Sequence, residues 1–378
     1  MWYAISRGGI VIDEKSEIQC TNYIIDFFFK EFVYRNLYFY ESKQKLELCD
    51  GLIEFQDSYV IFQIKEKDTS TSVKWLNKKV YDKAVRQIKD SIGMIRRAQN
   101  LQVESYAGEQ ITIDCTKEII PVIIFDSDDK EYKQIHTSQK EADLKINIFR
   151  MEDFNLVLNS LAIPYDIVLY LKMRMSFFEN KLPHFFINEV SESVTTFARI
   201  HDERGLIDYY IAMMNGNKYI SEDAMKGFRF VIKNFSDRLI READYQPEMY
   251  KEVLECLIKS NRNTVHDFML RWQICVEHCM RNEETIHHFL IDSVNDVGYL
   301  FFTQKSLIKD KDYIDFVISL FKYKFKKQNV IGVVFHMLED KNYSVEWIYE
   351  SYEYTQDGAM DEILQEEPLW NNAKMLDN

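Results

Sequence analysis

Three polar side chains in residues 47–68, ELCDGLIEFQDSYVIFQIKEKD, stand where a buried sheet would be expected to carry apolar ones. Asp50 lies in one strand-like run, and Gln63 and Lys65 flank Ile64 at the end of the next. Because the side chains of a strand alternate between its two faces, Gln63 and Lys65 share one face and Ile64 points the other way. Burying an aspartate or a lysine is costly unless it is paired or binds a metal ion, so this placement predicts a functional cluster.

These residue types suit metal-assisted hydrolysis of a phosphodiester. Mg²⁺ prefers hard oxygen ligands, and Asp50, the side-chain oxygen of Gln63 and the backbone carbonyl of Ile64 can supply them. A lysine on the same face can hold or deprotonate the attacking water and offset charge on the phosphate. We therefore predict a site for Mg²⁺ or Mn²⁺ in which Lys65 orients the water.

The elements that must position this cluster are predicted from hydrophobic spacing. Residues 46–55 and 59–64 are typical of two strands, with a turn composition at residues 56–58. Apolar residues at helical spacing predict helices over residues 20–39, 77–98, 152–162 and 164–174, and short apolar runs predict strands at 111–114, 118–125 and 145–149. This order predicts an α/β fold over residues 1–185, a mixed sheet flanked by helices.

Residues 186–378 have a different pattern of apolar residues. Apolar residues recur every three or four positions, and turns interrupt them at Asn215-Gly216-Asn217 and Ser260-Asn261-Arg262-Asn263. The pattern predicts an all-α C-terminal domain with an acidic tail. The formal net charge of −14 lies mostly here, since residues 1–185 carry 25 Lys and Arg against 28 Asp and Glu. A net charge of −14 argues against a protein that coats nucleic acid through bulk charge.

One basic segment follows the Gln-Ile-Lys strand. Residues 74–97 hold eight cations and two acids. A solvated helix face is the ordinary explanation of such a segment, but its position directly after the polar cluster favours contact with a nucleic-acid backbone. The residues predicted to make this contact are Lys74, Lys78, Lys79, Lys83, Arg86 and Gln87.

The arrangement resembles the PD-(D/E)xK nuclease superfamily, which has the restriction-endonuclease-like fold. Asp50 matches the first acid of its signature and Gln63-Ile64-Lys65 matches the acid-x-Lys strand, with Gln63 in place of the second acid as in Mrr-type restriction enzymes. The resemblance covers residues 15–175. It implies Asp50, Gln63, Lys65 and Glu47 as catalytic residues and Asp50, Gln63, Ile64 and Glu31 as metal ligands. Glu47 or Glu31 would restore the charge that Gln63 lacks.

The same resemblance implies a Mg²⁺-dependent nuclease that acts on DNA in bacterial defence against foreign DNA. A motor or regulatory protein would control it through the acidic C-terminal half, and a homo-oligomer is one form it could take. Two alternatives stay open. One is a nuclease-like scaffold that binds nucleic acid or protein without cleaving, and the other is a function that resides in the C-terminal half.

Cysteine spacing and the N-terminus bear on the compartment. Six cysteines without framework spacing and an N-terminus without signal-peptide features predict a cytoplasmic protein with reduced thiols, and the absence of a long apolar run predicts no membrane span. A zinc site is conceivable among Cys275, His278, Cys279, His287 and His288. The helical spacing of the two cysteines favours core thiols instead.

Overall fold

A computed structural model describes most of the chain. The described residues are 16–41, 44–66, 78–98, 100–104, 110–126, 135–137, 144–179, 185–187, 197–199, 203–216, 220–239, 247–305, 311–339, 342–353 and 355–366. The chain divides into two compact units, Met1–Met213 and Met214–Asn378. This division lies beyond the predicted boundary at residue 185.

The first unit alternates strands and helices. Its elements are α1 (Ser16–Phe28), β1 (Val33–Glu41), β2 (Gln44–Phe55), β3 (Ser58–Glu66), α2 (Lys78–Arg97), β4 (Asn100–Glu104), β5 (Gln110–Asp114), β6 (Glu118–Asp126), β7 (Ile135–Thr137), β8 (Lys145–Arg150), α3 (Met151–Leu161), α4 (Pro164–Glu179), β9 (Phe185–Ile187), β10 (Phe197–Arg199) and α5 (Glu203–Asn215). Strands β9 and β10 form a separate antiparallel pair.

Eight strands form one mixed sheet in the order β5-β4-β1-β2-β3-β6-β8-β7. The pairs β3–β6 and β6–β8 are parallel, and the β1–β2–β3 meander is antiparallel. Ile61 and Ile123 pack in one core with Ile88 of α2. Phe62 points to the opposite face, where its ring meets Phe154 of α3 edge to face at 5.8 Å. The predicted mixed sheet flanked by helices is therefore confirmed at this level.

The helix predicted over residues 20–39 is wrong in its second half. Helix α1 ends at Phe28, Phe29 adopts a left-handed φ of 62°, and β1 begins at Val33. Left-handed residues end helices because the chain cannot continue its hydrogen bonding through them. Aromatic and β-branched residues dominate β1, VYRNLYFYE, and they favour strands, although their spacing also fits a helical stripe.

A buried ion pair ties α5 to the sheet. Arg174 of α4 is 0% exposed and donates from Nε and Nη2 to the carboxylate of Glu203, the first residue of α5, at 2.9 and 2.8 Å. Its other donors reach Oδ1 of Asn147 and the carbonyl of Ile148 in β8, both at 3.2 Å. Tyr170 also donates to Glu203. Because these bonds bring α5 onto β8, the first unit extends past residue 185.

The second unit has a sheet of its own. Its elements are α6 (Glu222–Leu239), α7 (Pro247–Ile258), α8 (Arg262–Arg281), β11 (Thr285–Asp292), β12 (Val297–Gln304), α9 (Lys311–Phe325), β13 (Asn329–Met337), β14 (Tyr343–Ser351) and α10 (Gly358–Glu366). The four strands lie in chain order, and α9 connects the parallel pair β12–β13. Rings of Phe268 and Trp272 in α8 cover one face, where they contact Phe301 and Phe335. Helix α9 packs on the other face.

The predicted all-α C-terminal domain is therefore wrong. Strands β12 and β13 are buried almost throughout, so their sequences, VGYLFFTQ and NVIGVVFHM, are continuous apolar runs without the alternation that marks a strand. Glycines allow the close approach of α9. A Cβ atom at Gly298 would lie 2.6 Å from the Phe321 ring, and one at Gly332 would lie 2.5 Å from Ile318.

Candidate active site

The β2–β3 pair brings the polar cluster together at the carboxyl end of β3. Gly51 lies opposite Phe62 in this antiparallel ladder, which places Asp50 beside Gln63. Asp50 and Gln63 are buried residues, at 4% and 3% exposure. Gln63 Nε2 donates to Asp50 Oδ2 at 2.6 Å, and the backbone N–H of Ile64 donates to the same oxygen at 2.5 Å. Lys65 Nζ lies 3.9 Å from it and donates to the Ile64 carbonyl at 3.1 Å.

Burial dominates the electrostatics of this cluster. It raises the pKa of Asp50 to about 6, although the charge of Lys65 and the Ile64 N–H act in the opposite direction. Burial also lowers the pKa of Lys65, against the charge of Asp50. The protein thus holds a carboxyl group that titrates near neutral pH next to an ammonium group that gives up its proton more readily than usual, which is common at functional sites.

Glu47 joins the cluster through an irregularity in β2. Its carboxyl group hydrogen-bonds to Asp50 and contributes to the raised pKa of Asp50. Residues three apart in a regular strand point to opposite faces. Here Cys49 pairs with Leu37, but Glu47 pairs with the next residue of β1, Tyr38, so Leu48 is an extra residue in the ladder. Such a β-bulge shifts the alternation, and the two carboxyl groups consequently share a side.

A hydrogen bond from α2 stabilises the bulge. The extra residue of a bulge leaves backbone groups without ladder partners, and buried carbonyls need a donor. The Leu48 carbonyl accepts a hydrogen bond from the buried hydroxyl of Ser91, which also lies 2.9 Å from the carbonyl oxygen of Gln87. Ser91 therefore connects the helix to the backbone that carries Glu47.

The predicted ligand Glu31 lies elsewhere. It sits in the turn between α1 and β1, where Lys30 Nζ lies 3.9 Å from its carboxylate. This turn lies against the end of β2, since the Glu54 N–H donates to the Phe32 carbonyl at 2.9 Å. Glu54 is four residues beyond Asp50, roughly 13 Å along a strand. The described contacts of Glu31 therefore do not join it to the cluster, because α1 ends before residue 31.

Glu17 is the acid of α1 that approaches the cluster, and the sequence analysis missed it. Its charge acts on the pKa of Lys65 in the same direction as the charges of Asp50 and Glu47, after the larger effect of burial. The spacing in the sequence could have indicated this position, because Glu17 precedes the buried residues Cys20, Thr21 and Ile24 by three, four and seven positions. These spacings place it at the start of the buried face of α1.

Helix α2 presents its cations beside the cluster. Lys83 and Arg86 are exposed, Gln87 is half-buried, and the charge of Lys83 lowers the pKa of Lys65. Lys78 and Lys79 belong to α2, but their side chains, like Lys74 as a whole, lie outside the described residues. The described part of the predicted basic surface thus flanks the carboxyl end of β3.

The donor set determines which metal the cluster could hold. No group of three or more Cys, His, Asp and Glu side chains suited to a metal occurs among the residues that the structure describes. The cluster does combine two carboxyl groups, those of Asp50 and Glu47, with the amide of Gln63. The buried Asp50 and the exposed Glu47 share a hydrogen bond beside Lys65, and all-oxygen donors of this kind suit Mg²⁺ or Mn²⁺.

The cysteines of α8 pack in the core as their spacing indicated. Cys275 and Cys279 are buried, and burial raises their pKa values to about 12 and about 11. His278 Nδ1 lies 3.0 Å from Glu283, and its ring stacks on His288 with centroids 6.1 Å apart. The His287 side chain is outside the described residues. Both cysteines are thus buried thiols of the core.

Comparisons of the chain with models of known families, with curated proteins and with solved structures give no match. None of the described helices combines the length and apolar character needed to cross a bilayer. What the chain does must therefore be inferred from the cluster itself.

The raised pKa of Asp50 predicts a stability effect of its charge. Between its ordinary pKa of 3.8 and about 6 the folded state binds more protons than the unfolded chain, so stability falls as pH rises through this window. The substitution Asp50→Asn removes the buried charge and keeps an acceptor for Gln63 and Ile64 and a donor for Glu47. We expect the variant to be more stable than wild type at pH 8 by about 1–3 kcal/mol and equally stable near pH 4. Thermal unfolding in the presence of a chelator measures this.

Asp82→Asn is the matched control, because Asp82 is an exposed aspartate of α2. This control is expected to change stability by less than about 0.5 kcal/mol at either pH. An Asp50→Asn variant that unfolds at a lower temperature than wild type at pH 8 would contradict the assignment of Asp50 as a strained, buried charge.

Proposed function

We propose that this protein is a metal-dependent nuclease that hydrolyses phosphodiester bonds in DNA, with a restriction-endonuclease-like first unit. The observation that carries the proposal is the convergence of Asp50, Gln63 and Lys65, with Glu47 beside them, at the carboxyl end of β3. A mixed sheet with helices on both faces is compatible with that fold.

Each residue has a proposed role. Asp50, Glu47, the amide oxygen of Gln63 and the Ile64 carbonyl would hold Mg²⁺ or Mn²⁺. When bound, such an ion neutralises phosphate charge and lowers the pKa of a water. Lys65 donates hydrogen bonds to the attacking water and to the phosphate, and its lowered pKa suits it to accept a proton. Gln63 also orients Asp50 through its Nε2–H.

A second candidate is a nuclease-like scaffold that binds without cleaving. One observation favours it: Gln63 supplies a neutral amide where the resemblance expects a carboxylate, and its Nε2 is already committed to Asp50. Amide oxygens bind hard cations more weakly than carboxylates.

Cleavage assays separate the two candidates. Plasmid and linear DNA are incubated with the full chain in Mg²⁺, in Mn²⁺ and in chelator, with single-stranded RNA as a second substrate. A nuclease gives metal-dependent DNA products that chelator abolishes. DNA binding without products in either metal would favour the scaffold, and cleavage of RNA alone would correct the substrate.

The proposed DNA contact predicts a salt effect. Each lost phosphate contact lowers the slope of log affinity against log salt by roughly one. Replacing both Lys83 and Arg86 with alanine should therefore weaken DNA binding and reduce that slope by about two. A double variant at Arg204 and Lys226, exposed cations of α5 and α6, is the control of equal charge. Equal slopes for the two double variants would show that Lys83 and Arg86 of α2 do not contact the phosphates.

The biological setting is proposed by analogy with the family that the motif resembles. We infer a cytoplasmic enzyme of bacterial defence against foreign DNA, controlled by a second protein that binds residues 214–378. That partner could be a motor or a regulator, and self-association of the second unit is a further possibility to be measured by sedimentation.

A further inference from the structure

A cavity of about 360 Å³ lies between α2 and the strands that carry the cluster. Its wall includes the apolar side chains of Phe39, Leu48 and Met94. This volume is near the lower end of the range for small-molecule sites. Such a cavity has room for one planar ring system and too little for a segment of duplex.

The polar groups of the cavity are mostly acceptors. Glu47 and Asp90 contribute carboxylates and Arg97 contributes the one cation of its lining. Gln87 also lines it, and its Oε1 is buried without a hydrogen-bond partner in the described part of the chain. An occupant that donates hydrogen bonds from the edge of a flat, partly apolar body would satisfy these groups, whereas a phosphate would meet two carboxylates.

The cavity is continuous with the proposed catalytic cluster. Gln63, whose Nε2 donates to Asp50, is part of its lining, and so is Glu47, which hydrogen-bonds to Asp50. A group bound in the cavity therefore lies next to the place where the phosphate would be hydrolysed.

We propose that this cavity binds the base of one nucleotide adjacent to the cleaved phosphodiester, and that it prefers bases with an exocyclic amino group. The inference rests on the proposed nuclease function and adds a substrate feature to it. Adenine, cytosine and guanine each carry an amino donor for Asp90, Glu47 or Gln87, and Met94 and Phe39 contact the ring. Thymine has no amino group and can donate only from its ring N3–H. Because the base must leave its stack to enter, the preferred substrate is a single strand or a duplex with an extruded base.

Binding of free nucleosides tests the proposal without any cleavage. The full-length protein is titrated in chelator with deoxyadenosine, deoxycytidine, deoxyguanosine and thymidine, and binding is followed by ligand-detected NMR. At least one amino-bearing nucleoside should bind about tenfold more tightly than thymidine. Met94→Trp, which fills the cavity, and Asp90→Asn, which removes an acceptor charge, should each weaken that binding about tenfold. Equal binding of all four nucleosides, or none, would overturn the proposal.

Two further variants make the result specific. Arg97→Ala alters the lining of the cavity and should change nucleoside affinity, whereas Arg96→Ala, at the preceding residue of α2 and outside the lining, should not. Lys65→Ala lies outside the lining too, so it should bind nucleosides like wild type even where cleavage is lost. If the protein binds nucleosides but never cleaves DNA, the nuclease proposal is wrong and the base-binding proposal is retained. If it cleaves DNA but binds no nucleoside, the base-binding proposal is wrong and the nuclease proposal is retained.

Discussion

Replacing Lys65 with alanine is expected to lower the rate of DNA cleavage by about 10²- to 10³-fold while DNA affinity changes little. The Nζ atom lies 3.9 Å from Asp50 Oδ2, and the Lys65 side chain is only 18% exposed, so its charge is held at the cluster. A charge aimed at the reacting phosphate typically contributes an effect of this size. We propose that affinity depends mainly on exposed cations such as Lys83 and Arg86. Single-turnover cleavage at saturating metal and filter binding measure the two quantities separately.

The same substitution should alter the pH dependence. The charge of Lys65 lowers the pKa of Asp50, so its removal raises that pKa further above its ordinary value. Cleavage that remains should therefore require a higher pH than wild type, because Asp50 must lose its proton to hold a cation. A purely structural role for Lys65 would not move the profile.

Lys117→Ala is the control for this experiment. Lys117 also forms a half-buried ion pair, with Glu54 at 2.8 Å, but it lies beside the start of β3, roughly 20 Å from Lys65 by strand rise. It should lose some stability and retain cleavage. Wild-type cleavage by Lys65→Ala would reject the assignment of the active site.

Replacing Glu203 with leucine is expected to destabilise the first unit by about 3–5 kcal/mol. Arg174 would then be a buried cation without its carboxylate, and breaking a buried pair by removing one partner costs this much. The guanidinium also lies 3.9 Å from the centre of the Phe149 ring, a cation–π contact that holds it inside the unit. The midpoint of urea unfolding, followed by tryptophan fluorescence and circular dichroism, measures the loss.

A double variant shows whether the cost comes from the unpaired charge. Arg174→Met together with Glu203→Leu should recover most of the lost stability, because apolar groups can replace a buried pair at little cost. The neighbouring pair Arg204–Asp208 is 60% and 57% exposed, and Asp208→Ala should cost less than about 1 kcal/mol. An unchanged unfolding midpoint for Glu203→Leu would show that the pair carries no stability.

The central strands and helix of the first unit were predicted correctly from the sequence. The turn at residues 56–57, the strands on either side of it and helix α2 all lie where their patterns place them. Local signals sufficed because the turn composition and the period of α2 are unambiguous. The proximity of Asp50 and Gln63 followed from the antiparallel pairing that the short turn imposes.

Other features could not be read from local patterns. Strand β1 has aromatic residues at a spacing that fits a helix, and only pairing with β2 and β4 settles its form. The strands of the second unit are apolar on both faces, which removes the alternation that distinguishes a strand. Glu31 lies outside the first helix because α1 ends at Phe28, before the left-handed Phe29. Glu17 lies within it because α1 begins at Ser16, four residues before the predicted start.

The extra residue at Leu48 has a consequence for tracing relatives of this protein. A relative with the same spacing of three but without the bulge would keep strict alternation in β2 and carry Glu47 to the opposite side of the sheet, with Asp50, Gln63 and Lys65 unchanged. A pattern that fixes only those three letters would not distinguish the two chains. A diagnostic signature must therefore include the spacing of three between the acids and a small hydroxyl residue in α2, the position of Ser91, that bonds to the displaced carbonyl.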